Sequence, residues 1–124
     1  MKFSALLTCY CLSVSAVAAE VVDVSCIFPD FYTLKVGPKH GGDFGLEFMV
    51  DTIQGKAYVK GNNGVSEVSY NSGPGGITFL EMLNSGAVQS TSVLFKDGSA
   101  VHSRHSILGG QVLSPSQYYG SCSF

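Results

Sequence analysis

Short runs of alternating apolar and polar residues recur along residues 20–124, separated by turn-forming residues about every eight to twelve positions. The first run places Val22, Val24, Cys26 and Phe28 on one face. The later runs place the following residues together: Leu46, Phe48 and Val50; Ala57 and Val59; Val68 and Tyr70; and Tyr118, Gly120, Cys122 and Phe124. Because helical periodicity nowhere exceeds about two turns, the pattern predicts an all-β domain.

Glycine-containing turns separate the predicted strands. Asn63-Gly64 and Asp97-Gly98 predict type I′ hairpins, in which both central residues take positive φ. Gly109-Gly110 predicts a third tight turn, and residues 84–86 predict a short connection. Residues 37–45 are predicted to form the longest loop. Successive hairpins make each strand the neighbour of the next, as in a meander.

The predicted strand at residues 77–83 departs from simple alternation, because Glu81 shares a face with Ile77 and Phe79. If this face points inward, Glu81 is buried and needs a partner such as His105. If it points outward, Ile77 and Phe79 form an exposed apolar patch of the kind that marks interaction surfaces. Burial of both faces at a strand crossing is the third alternative.

The chain begins with the three-part pattern of a secretory signal peptide. Lys2 gives a positive start, an apolar run spans residues 3–18, and small residues end the run before Glu20. We predict a signal peptide over residues 1–19 and a single β domain over residues 20–124. The apolar run is shorter than the roughly 20 residues of a spanning helix, although an uncleaved anchor is the alternative. The prediction implies a periplasmic or extracellular protein without a membrane span after cleavage.

Composition and charge fit a small globular domain. The 124-residue chain is 45% hydrophobic and 13% charged, unlike a disordered chain of low hydrophobicity and high charge. The formal net charge of −2 becomes −3 when Lys2 leaves with the signal peptide. Because nothing indicates a basic patch or stripe, we predict no nucleic-acid partner.

Of the 4 cysteines, Cys26 and Cys122 belong to the predicted mature domain. An even pair in an oxidising compartment predicts a disulfide, with two free thiols as the alternative. The Cα atoms of a bonded pair lie about 5.5 Å apart, close to the spacing of adjacent strands. The first and last strands would then be neighbours. We therefore predict a small antiparallel up-and-down barrel of about eight strands, whose closure removes exposed edges. The alternative is a two-sheet β-sandwich with adjacent ends.

The densest polar cluster spans residues 100–106. On a strand, His102 and Arg104 share one face, whereas His105 shares the other face with Val101. We predict a polar surface site at His102 and Arg104, which could bind an anion on the outer wall. A solvated face plus one satisfied core histidine is the alternative. Histidines three residues apart on a strand cannot chelate one ion from one face, so no metal or other cofactor is predicted.

Sequence patterns of catalysis are not found. The chain has no nucleophile-elbow spacing, no His-Glu-x-x-His pair and no Gly-Lys-Thr/Ser phosphate loop. Nucleophilic catalysis also needs a histidine base beside the nucleophile, oriented by a third group, and no spacing indicates such a set. We predict that the protein is not an enzyme and has no catalytic residues.

The last quarter of the chain carries a resemblance. Residues 100–105 (Ala-Val-His-Ser-Arg-His) and 115–122 (Pro-Ser-Gln-Tyr-Tyr-Gly-Ser-Cys) resemble segments of small exported proteins of Gram-negative bacteria, which carry no assigned activity. This resemblance implies periplasmic or extracellular residence and supports the disulfide, but it implies no catalytic residue. The layout is also similar to that of periplasmic lysozyme inhibitors with small β-barrels, although their Ser-Gly-x-x-Tyr-type loop is absent.

These observations favour a non-enzymatic binding or inhibitor-like module. Its loops or outer wall would engage a protein or envelope component, because function gathers on loops held by a rigid scaffold. The alternative is a lipocalin-like carrier of a small apolar ligand. An eight-stranded barrel, however, is only wide enough for its own side chains or for one small ligand.

Overall fold

The computed structural model describes residues 20–62 and 64–124, so the predicted signal peptide at 1–19 and Asn63 lie outside the described residues. All helix-or-strand structure in the described part of the chain is β-strand, which confirms the predicted all-β class. The strands are β1 (Val21–Thr33), β2 (Gly37–Lys39), β3 (Phe44–Asp51), β4 (Lys56–Gly61), β5 (Gly64–Ser72), β6 (Gly76–Met82), β7 (Val88–Leu94), β8 (Ser99–Leu108) and β9 (Val112–Ser123).

The strands form one antiparallel sheet that closes on itself. From β3 to β9 each strand pairs with the next along the chain, and β1 pairs with both β3 and β9. Eight strands therefore make a closed barrel, and β2 is an extra strand that pairs with the end of β1. The predicted up-and-down barrel is confirmed, and the alternative sandwich is not the fold of this chain.

The seam of the barrel is fastened by the predicted disulfide. Cys26 and Cys122 lie directly opposite each other on β1 and β9, with their Cα atoms 4.0 Å apart. Both cysteines are buried. The bond joins residues separated by 96 positions, which on the chain-entropy model stabilises the fold by roughly 4 to 5 kcal/mol.

A β-bulge in β1 shapes the same seam. The register between β1 and β9 shifts between Ile27 and Asp30. A Cβ atom at Gly120 would overlap the carbonyl oxygen of Ile27, so only glycine lets the two backbones approach this closely. Beyond the bulge Phe31 stacks on Tyr118, with 5.6 Å between ring centroids.

The predicted apolar faces of the strands fill the interior. The buried residues of this core are Val24, Cys26, Phe28, Leu46, Phe48, Val50, Ala57, Val59, Val68, Ile77, Phe79, Val93, Ala100 and Cys122. Phe48 of β3 and Phe79 of β6 stack almost parallel across the barrel, with ring centroids 4.0 Å apart. Because these strands are not neighbours in the sheet, the stack fills the middle of the barrel.

The hairpin turns lie close to the positions predicted from the sequence, but their β-turn types differ from the prediction in part. Gly109 and Gly110 both have positive φ, and residues 84–86 form the predicted short connection, with the Leu83 amide donating to the Ala87 carbonyl. At 97–98 only Gly98 has positive φ, so the type I′ prediction is wrong there. The connection spans residues 95–98, and this extra length lets Asp97 keep negative φ.

Two other predictions on connections need correction. Gly61 pairs with Gly64, so the β4–β5 turn is centred one residue earlier than the predicted Asn63-Gly64. The predicted loop at 37–45 contains β2 and the start of β3, and its irregular part is only 40–43. Pro38 is accommodated because β2 is an edge strand, where a missing backbone N–H breaks no ladder.

The two ends of the barrel carry different connections. The lower rim holds both ends of the described chain and the connections 52–55, 73–75 and 95–98. The upper rim holds the β4–β5 turn and the connections 34–36, 40–43, 83–87 and 109–111.

Two hairpins project from the upper rim. β8 continues through residues 106–108 after its last β7 partner, and β9 begins at Val112, before its first β1 partner at Ser116. The end of β1 pairs with β2 instead of β3. We call residues 31–39 and 104–116 the upper extension; its strands lie side by side in the order β2, β1, β9, β8.

Candidate functional site

His102 lies inside the barrel and not on its outer wall. Its side chain is only 2% exposed, and it lies directly opposite Thr91 of β7, which is equally buried. The Thr91 hydroxyl and the His102 Nδ1 atom are hydrogen-bonded at 2.7 Å. The predicted surface placement of His102 is therefore wrong, and the imidazole is part of the core.

Aromatic rings surround the imidazole of His102, and its burial among them lowers its pKa. Phe28, Phe44 and Tyr118 lie with ring centroids 5.4 to 5.8 Å from that of His102. Burial among these rings disfavours the imidazolium and, with a smaller contribution from the positive charge of Arg104, lowers the pKa of His102 to about 4. His102 is consequently neutral at pH 7.

The Nε2 atom of His102 has no hydrogen-bond partner. His102 borders a cavity of about 20 Å³ that is also lined by the polar residues Thr91, Gln89 and Glu81 and by the apolar residues Leu46, Phe48, Val59, Val68 and Phe79. A cavity of this size has room for about one water molecule. This interior cavity is thus too small for an organic ligand.

The predicted strand at 77–83 points its mixed face inward. Ile77 and Phe79 are buried, and Glu81 is half-buried at the upper side of the same face, opposite Gln89. Of the three alternatives, the inward one describes this strand, although Glu81 is not fully enclosed. His105, which the sequence offered as its partner, is exposed.

Arg104 is exposed at the base of the upper extension. It follows His102 by two residues on β8 and therefore shares its inward face, above the aromatic cluster. Ser116 of β9 lies directly opposite Arg104. The structure separates the two predicted site residues by environment: His102 is enclosed, and Arg104 is open to solvent. The faces of β8 were misassigned because Val101 and Ile107 lie on the face opposite His102, whereas Ala100 is the residue that enters the crowded interior beside it.

In residues 20–62 and 64–124, no three His, Cys, Asp or Glu side chains gather closely enough to hold a metal ion. His40 bonds Asp30 through Nδ1 at 2.8 Å in an exposed position. The hydrogen-bonded pair of Thr91 and His102 is buried, with each residue only 2% exposed.

An apolar cup opens at the lower rim. It has a volume of about 290 Å³, close to the lower end of the range for small-molecule sites. Most of its walls are inward-facing residues of β1, β3, β5 and β6, and residues of the lower-rim connections and of the C-terminal end complete it. The lining residues are Val22, Val24, Val50, Thr52, Tyr70, Ser72, Ile77, Phe95 and Phe124. The stacked Phe48 and Phe79 line the small interior cavity and are not part of the lining of the cup.

Exposed apolar side chains collect at the upper rim. Leu34 is 73% exposed, Leu113 is 75% exposed and Met82 is 76% exposed. Val36, Leu108 and Val112 are more than half exposed. Sequence analysis missed these residues, and the available signal was that apolar residues directly flank the turn glycines at 37 and 109–110, where polar residues are usual.

Scans of protein-family models, curated proteins and solved structures found no significant match to this chain. The functional interpretation therefore depends on the geometry of the chain itself. Within the described residues, the structure contains no helix long and apolar enough to cross a membrane.

Proposed function

We propose that residues 20–124 form an exported, non-enzymatic binding module that engages its partner through the upper extension. One observation carries the proposal: exposed leucine and valine side chains stand beside the turns of the two hairpins of the upper extension. Thr33 pairs with Ser116, so the turn containing Leu34 begins beside the segment that leads into Leu113. Exposed apolar residues gathered at one end of a domain often mark an interaction site.

The disulfide supports the exported part of the proposal. Disulfides persist in oxidising compartments and are rare in the cytosol, so the Cys26–Cys122 bond fits the predicted signal peptide. The resemblance to small exported bacterial proteins points to the same compartment.

Burial of the interior histidine supports the non-enzymatic part. A catalytic base must reach its substrate, and His102 is enclosed by aromatic rings and bonded to the equally buried Thr91. The Cys26–Cys122 bond leaves neither sulfur as a free thiol nucleophile.

A capture experiment tests the binding module. We compare the wild-type protein with a Leu108→Ser, Leu113→Ser double variant and with an Ile53→Ser control, whose residue is 53% exposed on the lower rim. All three are immobilised and exposed to a cell-envelope fraction containing both proteins and lipids. We expect one bound component to be retained by the wild type and the control and lost with the double variant. Identical retention by all three proteins would refute a site on the upper extension.

The lower-rim cup supports a second candidate, a carrier of a small apolar ligand. The interior cavity is too small for this role, whereas the cup has about 290 Å³ and largely apolar walls. A Ser72→Trp substitution at the cup would occupy this space from an exposed position. If the cup is the site, this variant no longer binds a fluorescent apolar probe that the wild type binds. Unchanged probe binding would rule out the cup.

A further inference from the structure

We propose that the partner of the upper extension is the surface of an anionic lipid membrane, on which the hairpin tips insert while the barrel stays outside. This inference rests on the proposed binding function and names the chemistry of the partner. It is argued from three properties of the upper extension: its charge, its reach, and its poor fit to a second copy of itself.

The charge of the upper extension is opposite to that of the domain. Residues 20–124 carry a formal net charge of −3, yet residues 31–39 and 104–116 contain Lys35, Lys39 and Arg104 and no aspartate or glutamate. The β6–β7 connection at 83–87, beside Met82, also contains no charged residue. Cations beside apolar tips match a surface of anionic headgroups, where each Lys or Arg contributes to attraction.

The nearest carboxylates lie below the hairpin tips. Asp30, which is hydrogen-bonded to His40 at 2.8 Å, pairs with Tyr119 below the Thr33–Ser116 pair, and Asp43 lies in the connection that leads away to β3. Glu81 faces the barrel axis, as Arg104 does, and both lie beside Gln89, so this pair of opposite charges lies at the base of the extension and the tips carry Lys35 and Lys39.

The reach of the hairpins suits shallow insertion. Residues 106–108 of β8 extend past the last partner in β7, which at about 3.3 Å per residue corresponds to roughly 10 Å. Interfacial segments bury their apolar faces about 5 to 10 Å into the headgroup and acyl boundary. Leu108, Val112 and Leu113 flank the Gly109-Gly110 turn and would enter first.

A second copy of this chain is a poorer occupant of the same surface. A two-fold contact places the same patch on both partners, so each cation of one extension faces a surface without carboxylates on the other. Lys35 and Lys39 would then repel their counterparts. An anionic lipid surface satisfies the same cations and the same apolar tips without this cost.

Vesicle sedimentation tests the proposal. The wild-type protein is mixed with vesicles of phosphatidylcholine alone and with vesicles containing phosphatidylglycerol, at about 0.1 M salt. We expect binding to the anionic vesicles to be much stronger and to weaken when salt is raised, because exposed charges are then screened. Lys35→Gln should weaken binding about fivefold, since one cation near an anionic surface contributes about that factor.

Apolar variants separate insertion from charge alone. The Leu108→Ser, Leu113→Ser double variant should lose at least about tenfold in affinity, because two leucines no longer leave water. Ile53→Ser on the lower rim is the matched control and should bind like the wild type. Circular dichroism and thermal unfolding check that each variant stays folded, as expected for residues that are mostly exposed.

Three outcomes would overturn the lipid assignment: no vesicle binding, equal binding to both vesicle types, or equal weakening by Ile53→Ser. Sedimentation as a dimer that Leu113→Ser makes monomeric would overturn it in favour of a second copy. The capture experiment with the cell-envelope fraction distinguishes failure of the lipid assignment from failure of the proposed function. If only the lipid assignment fails, the immobilised wild type still captures a protein partner, and the Leu108→Ser, Leu113→Ser double variant does not. If that capture also shows no dependence on the two leucines, the binding site itself is refuted.

Discussion

Acidification should destabilise this protein through His102, and the size of the effect follows from its enclosure. In the unfolded chain the imidazole takes up a proton near its ordinary pKa of 6.5, whereas in the folded barrel its pKa is about 4. Between these values the unfolded state binds more protons than the folded state. The stability that depends on neutral His102 is therefore present above pH 6.5 and is lost as the pH falls toward 4.

The magnitude can be worked out from these two pKa values. Each pKa unit corresponds to about 1.36 kcal/mol, and nearly two units of the difference are lost between pH 7 and pH 4.5. The expected loss in the free energy of unfolding is about 2.5 kcal/mol over this window. For a small domain this is a large share of a total stability of about 5 to 15 kcal/mol.

Urea unfolding at several pH values measures the effect. The informative quantity is the slope of the unfolding free energy against pH, compared between the wild type and His102→Gln. Glutamine does not titrate and can keep a hydrogen bond to Thr91, so the variant should lose most of the slope between pH 6.5 and 4.5. His105→Gln replaces an exposed histidine and should keep the wild-type slope.

The same comparison can refute the reasoning. Carboxylates also titrate on acidification, but they do so alike in the wild type and in His102→Gln, so the difference between the two slopes isolates the imidazole. If both proteins lose stability equally, the interior histidine is not excluded from protonation and its enclosure is weaker than the structure indicates.

Three further variants, one of them with a matched control, test the seam and the core. Replacing both Cys26 and Cys122 with serine should lower the unfolding free energy by about 4 kcal/mol in urea titration, and a loss below about 1 kcal/mol would contradict the loop-closure account. Gly120→Ala should lower the thermal midpoint sharply, because its Cβ overlaps backbone, whereas Gly73→Ala meets nothing within 4 Å and should leave the midpoint unchanged. Phe79→Ala should cost about 3 to 5 kcal/mol, because the ring is only 1% exposed and stacks across the barrel; calorimetry that detects little change would argue against the stack.

The barrel was predictable because its strands obey the two-residue period. On β1, β3 and β4 one face is apolar over several successive positions, and only one choice of face buries it. The pairing of Cys26 with Cys122 then joined the first strand to the last, which distinguished a closed sheet from an open one.

The position of His102 was less predictable because the hydropathy of one strand does not show how much interior space the side chains of the opposite strands leave. On β8, Val101 and Ile107 outweigh Ala100 in hydropathy, yet the interior beside Phe28 and Phe44 has room for alanine and a flat imidazole. The bulge in β1 likewise interrupts strict alternation, because Gly120 permits a backbone approach that no pattern of side chains specifies. The exposed tips were missed since apolar residues beside turns are usually assigned to strand cores.

The pairing of β1 with β9 also has a consequence for how quickly the chain folds. Hairpins between neighbouring strands form from residues close in sequence, whereas the seam must bring together two positions 96 residues apart. Contacts between such distant positions lose the entropy of loop closure before they gain any stabilising interaction. We therefore expect the pairing of β1 with β9 to be the slow step of folding. The rate at which free thiols disappear during oxidative refolding would then measure the rate of this step, because Cys26 and Cys122 come together only when β1 pairs with β9.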